Sequence, residues 1–288
     1  GSQALLDAGA VYPLGDLLHA TIVASANDAA CALAEHIAGT EAAFAERMNA
    51  RAAELGMNNT YYTNATGLPD DAQYTTARDV ATLSVEMCRH PDYFTHASVW
   101  MDTLTHPSGR VTDLTNTNRL IRFYPGATGL KTGSTDSALY CMSATAERDG
   151  MELIAVVMKA PSTSQRFEDA KALLDYGFAN YALASVYPET PLAPVEVILG
   201  SVGQVQPQLQ RDCRLLVRKG EENQISTRLS LAQNVEAPVD EGQILGELQV
   251  YVGDELRDTV PILAAQGVDR LSVPGIFSQL LSRLFMGS

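Results

Sequence analysis

Two short polar runs in this 288-residue chain have residue types and spacing suited to chemistry. The first is Lys131-Thr132-Gly133, inside Tyr124-Pro125-Gly126-Ala127-Thr128-Gly129-Leu130-Lys131-Thr132-Gly133-Ser134-Thr135-Asp136. Gly126 and Gly129 allow close approach to a strand. The β-prone run Leu139 to Ala144 follows, Glu147-Arg148-Asp149-Gly150 reads as a hairpin turn, and Met151 to Met158 reads as the return strand. Lys131 is therefore expected at the start of an antiparallel hairpin, close to a sheet edge. Free backbone groups at an edge can take up an extended peptide, and a cation there can hold a carboxylate. A solvated lysine beside a turn is the other reading. The second run is Ser25-Ala26-Asn27-Asp28. Ser, Asn and Asp favour helix N-caps, so Ser25 and Asn27 either cap a helix or line a site at the mouth of a buried one. Arg166 falls in the first turn of a later helix, where a cation is unfavourable. It either snorkels to the surface or holds an anion, and the second is expected.

The bulk numbers exclude several classes. With 34 acidic against 20 basic residues the net charge is −14, which argues against nucleic acid as a partner, since phosphate binding needs a basic face. A hydrophobic share of 46% marks a chain that folds, and no run is long enough to span a bilayer. Cys31, Cys88, Cys141 and Cys213 fit no zinc spacing and read as free structural thiols. His19, His36, His90, His96 and His106 form no metal-spacing pair.

Helical spacing predicts helices over Leu14–Ala24, Ala29–Ile37 ending at Gly39, Glu41–Leu55 ending at Gly56, and Thr76–Cys88 behind the candidate cap Thr75-Thr76. Phe94–Leu104 and Val111–Leu114 read as extended. After the hairpin, Ser164 is expected to cap a helix running to about Tyr181, with Phe167, Ala170, Leu173, Leu174 and Phe178 as its core stripe. Three prolines between Tyr187 and Pro194 read as a linker. Beyond it, short strands at Val195–Leu199, Leu215–Val217, Ser226–Leu231, Ile244–Val252 and Thr259–Leu263 predict a small β-sandwich without catalytic groups. From Pro274 on, Ile276, Phe277, Leu280, Leu281, Leu284 and Phe285 share one helical face. That tail packs on its own domain, lies in a membrane interface, driven by Phe and Leu burial, or makes a contact between copies of the chain.

Taken together these stretches resemble the low-molecular-weight penicillin-binding proteins, the serine-type D-alanyl-D-alanine carboxypeptidases. The resemblance rests on Ile22-Val23-Ala24-Ser25-Ala26-Asn27-Asp28, on Leu55-Gly56-Met57 with Asn59-Thr60 and Gly67-Leu68, on Thr75-Thr76-Ala77-Arg78-Asp79, and most specifically on Asn116-Thr117-Asn118-Arg119-Leu120 followed by Gly129-Leu130-Lys131-Thr132-Gly133. It implies an α+β fold, with helices packed on an antiparallel sheet over residues 1–187, a β-sandwich over 191–269 and an amphipathic tail over 270–288. It also implies removal of the terminal D-Ala from peptidoglycan stem peptides through an acyl-enzyme, inhibition by β-lactams, and no metal or organic cofactor. The location implied is outside the cytoplasmic membrane or in the periplasm, with peripheral membrane contact through the tail.

The roles implied are equally specific. Ser25 would relay a proton to the leaving amine, Asn27 would orient the peptide amide, and Lys131 would supply positive potential. Thr132, Gly133 and the hydroxyl of Ser134 or Thr135 would bind the terminal carboxylate, the Ser134 N–H would be one oxyanion donor, and Arg166 is a further carboxylate candidate. One departure matters: the family's nucleophile is the Ser of a Ser-x-x-Lys motif, and no serine here has Lys three places on. The expectation is a chain whose nucleophile segment is missing and which is inactive alone. The alternative is a non-catalytic relative that binds peptidoglycan or a protein partner. A β-lactamase is a third reading, against which the β-module and tail argue.

Overall fold

A computed structural model describes residues 1–272 and 274–275; the amphipathic tail expected from Ile276 onward lies outside the described residues. The chain divides into two compact units, Gly1–Ala179 and Asn180–Ser288.

In the first unit, α1 (Leu14–Val23), α2 (Asn27–Ala38) and α3 (Glu41–Glu54) follow one another, then α4 (Ala77–Met87) and α5 (Pro91–Ala97). β1 (Met101–Thr105) and β2 (Val111–Thr115) form a two-stranded antiparallel ribbon. After the single turn α6 (Leu120–Phe123) come β3 (Ala127–Thr135), β4 (Leu139–Arg148) and β5 (Met151–Ala160), a sheet in the order β3-β4-β5, closed by α7 (Thr163–Asn180). β4 is the central strand, and Met142 to Ala146 are buried in succession, as a strand covered on both faces requires. Alanine dominates this core: Ala144, Ala146, Ala155 and Ala170 are all buried, which lets helices lie close to the sheet. At Gly177 the approach is closest, since a methyl there would sit 2.4 Å from Leu153 Cδ1.

Several local expectations change. Phe94–Ala97 is helical rather than extended, because Pro91 sits at the first helical position and presets the turn. Thr76 does cap α4, accepting from the Asp79 N–H at 3.1 Å. In α7 the capping hydroxyl is Ser162, which accepts from Gln165 N at 3.1 Å, not Ser164, and Leu173 is half exposed rather than in the core stripe. The segment before the hairpin is itself a strand, β3, so Lys131 lies mid-strand at the sheet's edge. Its two glycines, Gly129 and Gly133, hid that strand from propensity reasoning. Gly126 is needed just ahead of it, with φ of +84° and the Glu147 carbonyl 2.4 Å from where a Cβ would be.

The second unit begins with β6 (Tyr181–Val186), followed by β7 (Val195–Ile198), β8 (Gln204–Val205), β9 (Pro207–Leu209), β10 (Cys213–Arg218), β11 (Ile225–Leu231), β12 (Asn234–Glu236), β13 (Ile244–Val252) and β14 (Glu255–Ala264). They form sheets in the orders β11-β13-β14-β9, β12-β7-β8 and β10-β6. The expected strands are all present; β6, β8, β9 and β12 are additional and, apart from β6, only two or three residues long. One core cluster joins Val186, Leu215, Val217, Leu248, Val250, Val260 and Ile262. All four cysteines are free, with Cys213 buried and the other three half-buried.

What positions the first unit's polar residues is a buried bracket, Asn116-Thr117-Asn118. Asn116 Nδ2 donates to the carbonyls of Ala97 and Val99, and its Oδ1 accepts from Asn118 N. Asn118 Nδ2 donates to Gly129 O at 2.8 Å, and its Oδ1 accepts from Leu120 N. Both side chains are fully used and almost wholly buried. Asn118→Ala should strand a buried carbonyl and a buried N–H, at a cost on the order of 2–4 kcal/mol by denaturant titration; a loss under about 1 kcal/mol would mean the bracket bears little of the fold.

Candidate active site

Ser25 lies in the tight link between α1 and α2 with φ of +57°, in the left-handed region that a residue bearing a Cβ seldom occupies. The surrounding backbone holds it there: Ala26 N donates to Ala20 O at 3.2 Å, Asn27 N to Ser2 O at 2.9 Å, and Thr117 N to Val23 O at 3.2 Å. The capping reading of Ser25 and Asn27 does not hold. The N-cap position of α2 is Ala26, no side chain caps it, and Asn27 is the first helical residue. Asp28 instead turns back, its carboxylate accepting from Ala4 N and Leu6 N and so tying down the N-terminal segment.

Lys131 meets Ser25 directly. Its Nζ donates to Ser25 Oγ at 2.6 Å and to Thr132 O at 3.0 Å. Burial, and secondarily the nearby Arg166 charge, bring the ammonium down from its ordinary value to about 8. Thr132 is buried, and its hydroxyl donates to Thr117 Oγ1 at 2.8 Å. Arg166 does not snorkel: it is buried, and Nη1 donates at 3.2 Å to both Gly133 O and Cys141 O, so it clasps β3 to β4 from α7. Its guanidinium lies 4.8 Å from the Phe167 ring, and its Nε is buried without a partner. What it holds is a pair of backbone carbonyls.

The structure thus brings Ser25, Lys131, Thr132, Gly133 and Arg166 together around the edge strand. It leaves three expected residues apart from that group. The Thr135 hydroxyl accepts from Ala138 N at 2.9 Å and serves the β3–β4 turn. Ser134 is exposed, opposite Tyr140 in register. Asn27 lines a cleft of about 300 Å³ with Gly1, Gln3, Asp28, Cys31, Glu41, Asn64, Thr66 and Leu68, and its Nδ2 lies against Gly1. Sequence reasoning assigned no role to Thr117, Asn118 or Tyr93, whose hydroxyl donates to Leu130 O at 3.3 Å. The Asn-x-Asn spacing around Thr117 was the one available signal. Among the described residues no group of His, Cys, Asp and Glu is arranged to hold a metal ion.

Chemically, a half-buried lysine donating to a serine hydroxyl can move a proton through that hydroxyl, and its charge can attract an anion to the strand edge. Known proteins carry the same arrangement of chain. A profile described as D-alanyl-D-alanine carboxypeptidase matches residues 1–162, and one described as penicillin-binding protein 5, C-terminal domain, matches residues 185–270. The D-alanyl-D-alanine carboxypeptidase DacF of Bacillus subtilis is 33% identical over 94% of this chain and 70% of its own length. Penicillin binding protein 5 of Haemophilus influenzae superposes with a TM-score of 0.73 at 29% identity, covering 94% of this chain and 78% of that one. Penicillin-Binding Protein D2 of Listeria monocytogenes, solved in an ampicillin-bound form, is 37% identical over 58% of this chain and 68% of its own, with a TM-score of 0.52.

The depressed lysine has a consequence for stability. Between pH 8 and 10.5 the unfolded chain keeps a proton on Lys131 that the folded chain has released, so stability rises with pH across that window. At about 1.36 kcal/mol per pK unit the gain is on the order of 3 kcal/mol. Denaturant titrations from pH 7 to 10.5 should show this rise in the parent relative to Lys131→Met; parallel curves would contradict the buried-ammonium account.

Proposed function

The chain belongs to the D-alanyl-D-alanine carboxypeptidase family, whose members are serine-type enzymes of the penicillin-binding class, and from that membership we propose that it supplies the proton-relay and carboxylate-binding half of such an active site. The observation that carries the reading is the 2.6 Å contact between Lys131 Nζ and Ser25 Oγ on the edge strand.

In this reading a stem peptide ending in D-Ala-D-Ala extends along β3, and its terminal carboxylate faces Lys131 and the hydroxyls beside it. A serine hydroxyl attacks the penultimate carbonyl and forms the new C–O bond, its own proton passing to a base carried on the same segment as that serine. The C–N bond to the terminal D-Ala then breaks, and Ser25, fed by Lys131, delivers the proton that the leaving amine needs. Water releases the acyl group in a second step. Asn27 orients the peptide amide, the Ser134 N–H is one oxyanion donor, and Thr135 is left to the turn. Arg166 acts by fixing Gly133 and by adding positive potential. β-Lactams would enter by the same route, because a strained cyclic amide with a neighbouring carboxylate presents the same groups.

No serine in these 288 residues has Lys at the third following place, so the nucleophile of this reaction is assigned to a segment outside them. Acylation is then a property of the complete reading frame. We place the protein at the outer face of the cytoplasmic membrane or in the periplasm. The apolar face of residues 276–285 is proposed as an in-plane membrane contact. Removing the residues after Pro274 should release the protein from lipid vesicles while leaving soluble activity intact; unchanged sedimentation would reject that contact.

Labelling with a fluorescent penicillin, read by intact mass, tests the main reading. The chain as given should form no adduct and the product of the complete reading frame should form one. An adduct on the chain as given would make one of its own residues the nucleophile, Ser25 first. No adduct on either would favour a non-catalytic relative that binds peptidoglycan. In the complete protein, Lys131→Ala should lower D-Ala release by at least about 100-fold, the scale of a lost proton-transfer group, with little change in Tm; near-normal release would remove Lys131 from the mechanism.

A further inference from the structure

Thr117 does something the family motifs leave unsaid. Four hydrogen bonds and two peptide links close a ring through it. Lys131 Nζ donates to Ser25 Oγ at 2.6 Å and to Thr132 O at 3.0 Å. Thr132 Oγ1 donates to Thr117 Oγ1 at 2.8 Å, and Thr117 N donates to Val23 O at 3.2 Å. From Val23 the chain itself returns through Ala24 to Ser25. The two catalytic partners are 106 residues apart in sequence, on a helix-to-helix link and an edge strand. Outside their own contact, Thr117 is where this ring passes from the strand back to the link.

We propose that Thr117 is a positioning residue for the Ser25–Lys131 pair, its hydroxyl fixing Thr132 and its backbone N–H fixing the link that carries Ser25. This rests on the reading of the site as a carboxypeptidase half-site for its kinetic consequence, though not for its geometry.

The physical argument is one of tolerances. Ser25 stands at a positive φ that costs on the order of 1 kcal/mol or more and persists only when its surroundings hold it. Among the described residues β3 pairs with β4 alone, so its other edge depends on side-chain contacts for its distance from the link. Asn118 supplies one such contact at Gly129, and Tyr93 another at Leu130, both ahead of Lys131. At the level of Lys131 and Thr132 the contact is Thr117. Asn116 and Asn118, buried and fully bonded on either side, leave the residue between them little freedom to drift. The ring also touches the proton itself. Thr132 O and Ser25 Oγ are the two acceptors of the ammonium, so a Thr132 that shifts loosens both.

Two measurements separate the proposal from the functional reading. In the chain as given, the Lys131 side chain is titrated by NMR at its Cε. Thr117→Val removes the hydroxyl and keeps the N–H, and it should lower the Lys131 midpoint by half a unit or more, because the ammonium loses acceptor geometry and gains an apolar neighbour. Thr117→Ser should return it to the parent value. A midpoint unmoved or raised in Thr117→Val would overturn the proposal whatever the protein's activity. Thr117→Ala is the second variant if valine is not accommodated beside Val23.

In the complete reading frame, acylation by a fluorescent penicillin is split into the binding constant and the rate constant of the chemical step. Thr117→Val should slow the chemical step about tenfold, the effect of a displaced neutral hydrogen bond, with binding unchanged and serine restoring the rate. A defect confined to binding would mean that Thr117 contacts ligand instead, and equal rates would mean that it positions nothing. If the Lys131 midpoint moves as expected while even the parent complete protein is not acylated, the positioning stands and the carboxypeptidase reading falls.

Discussion

A half-buried lysine ammonium set against a serine hydroxyl is the constraint around which the first unit is built. Burying a cation without partners is prohibitive, and burying it with too strong a partner would fix its proton. Here the partners are a hydroxyl and a backbone carbonyl, both neutral, and the charge of Arg166, which acts on it, is of the same sign. The result is a lysine poised near 8, charged in most molecules at neutral pH yet able to give up its proton. Among the described residues no carboxylate pairs with it, so the site has attraction to spare for an incoming anion, even in a chain of net charge −14.

The rest of the unit serves that contact. Alanine-rich packing brings α7 onto the sheet so that Arg166 can reach two carbonyls on adjacent strands. The buried Asn116-Thr117-Asn118 segment joins the loop before β1, the end of α1 and the start of β3. Neutral side-chain amides suit this work, because each can satisfy donors and acceptors on several backbones at once without bringing a charge near the lysine. The cleft beside Asn27 is continuous in sequence with this arrangement but distinct from the Lys131 contact; it is lined by the N-terminal residues and by the loop carrying Asn64 and Thr66.

How legible this was depended on the kind of force involved. The long helices α1 to α4 and the hairpin β4–β5 follow from apolar periodicity; the helices and β5 lie within a residue or two of their expected bounds, while β4 runs four residues past Ala144 into the expected turn, to Arg148. β3 is hidden as a strand because Gly129 and Gly133 lower its propensity, while its pairing with β4 is a tertiary matter. The capping reading of Ser25 and Asn27 was the expected one for those residue types. It failed because Ser25 is held in a left-handed conformation by contacts 92 and 106 residues distant in sequence, at Thr117 through Val23 and at Lys131. The unfavourable helix position of Arg166 led to the expectation of a bound anion, but its partners are the carbonyls of Gly133 and Cys141, which sequence cannot indicate. Thr117 lay within the most specific motif and still drew no role, since its importance is that of a closed ring rather than of a reactive group.

The most direct test of the central claim is to compare two ligands on the 288-residue chain by amide chemical shifts: an N-acylated peptide ending in D-Ala-D-Ala with a free carboxylate, and the same peptide as its terminal amide. The account predicts shifts at Ser25, Lys131, Thr132, Gly133 and Ser134 for the free acid, strongly reduced for the amide and for the acid bound to Lys131→Met. Equal shifts from acid and amide, or shifts that avoid β3 altogether, would contradict the claim that the half-buried lysine at the strand edge is there to receive a carboxylate.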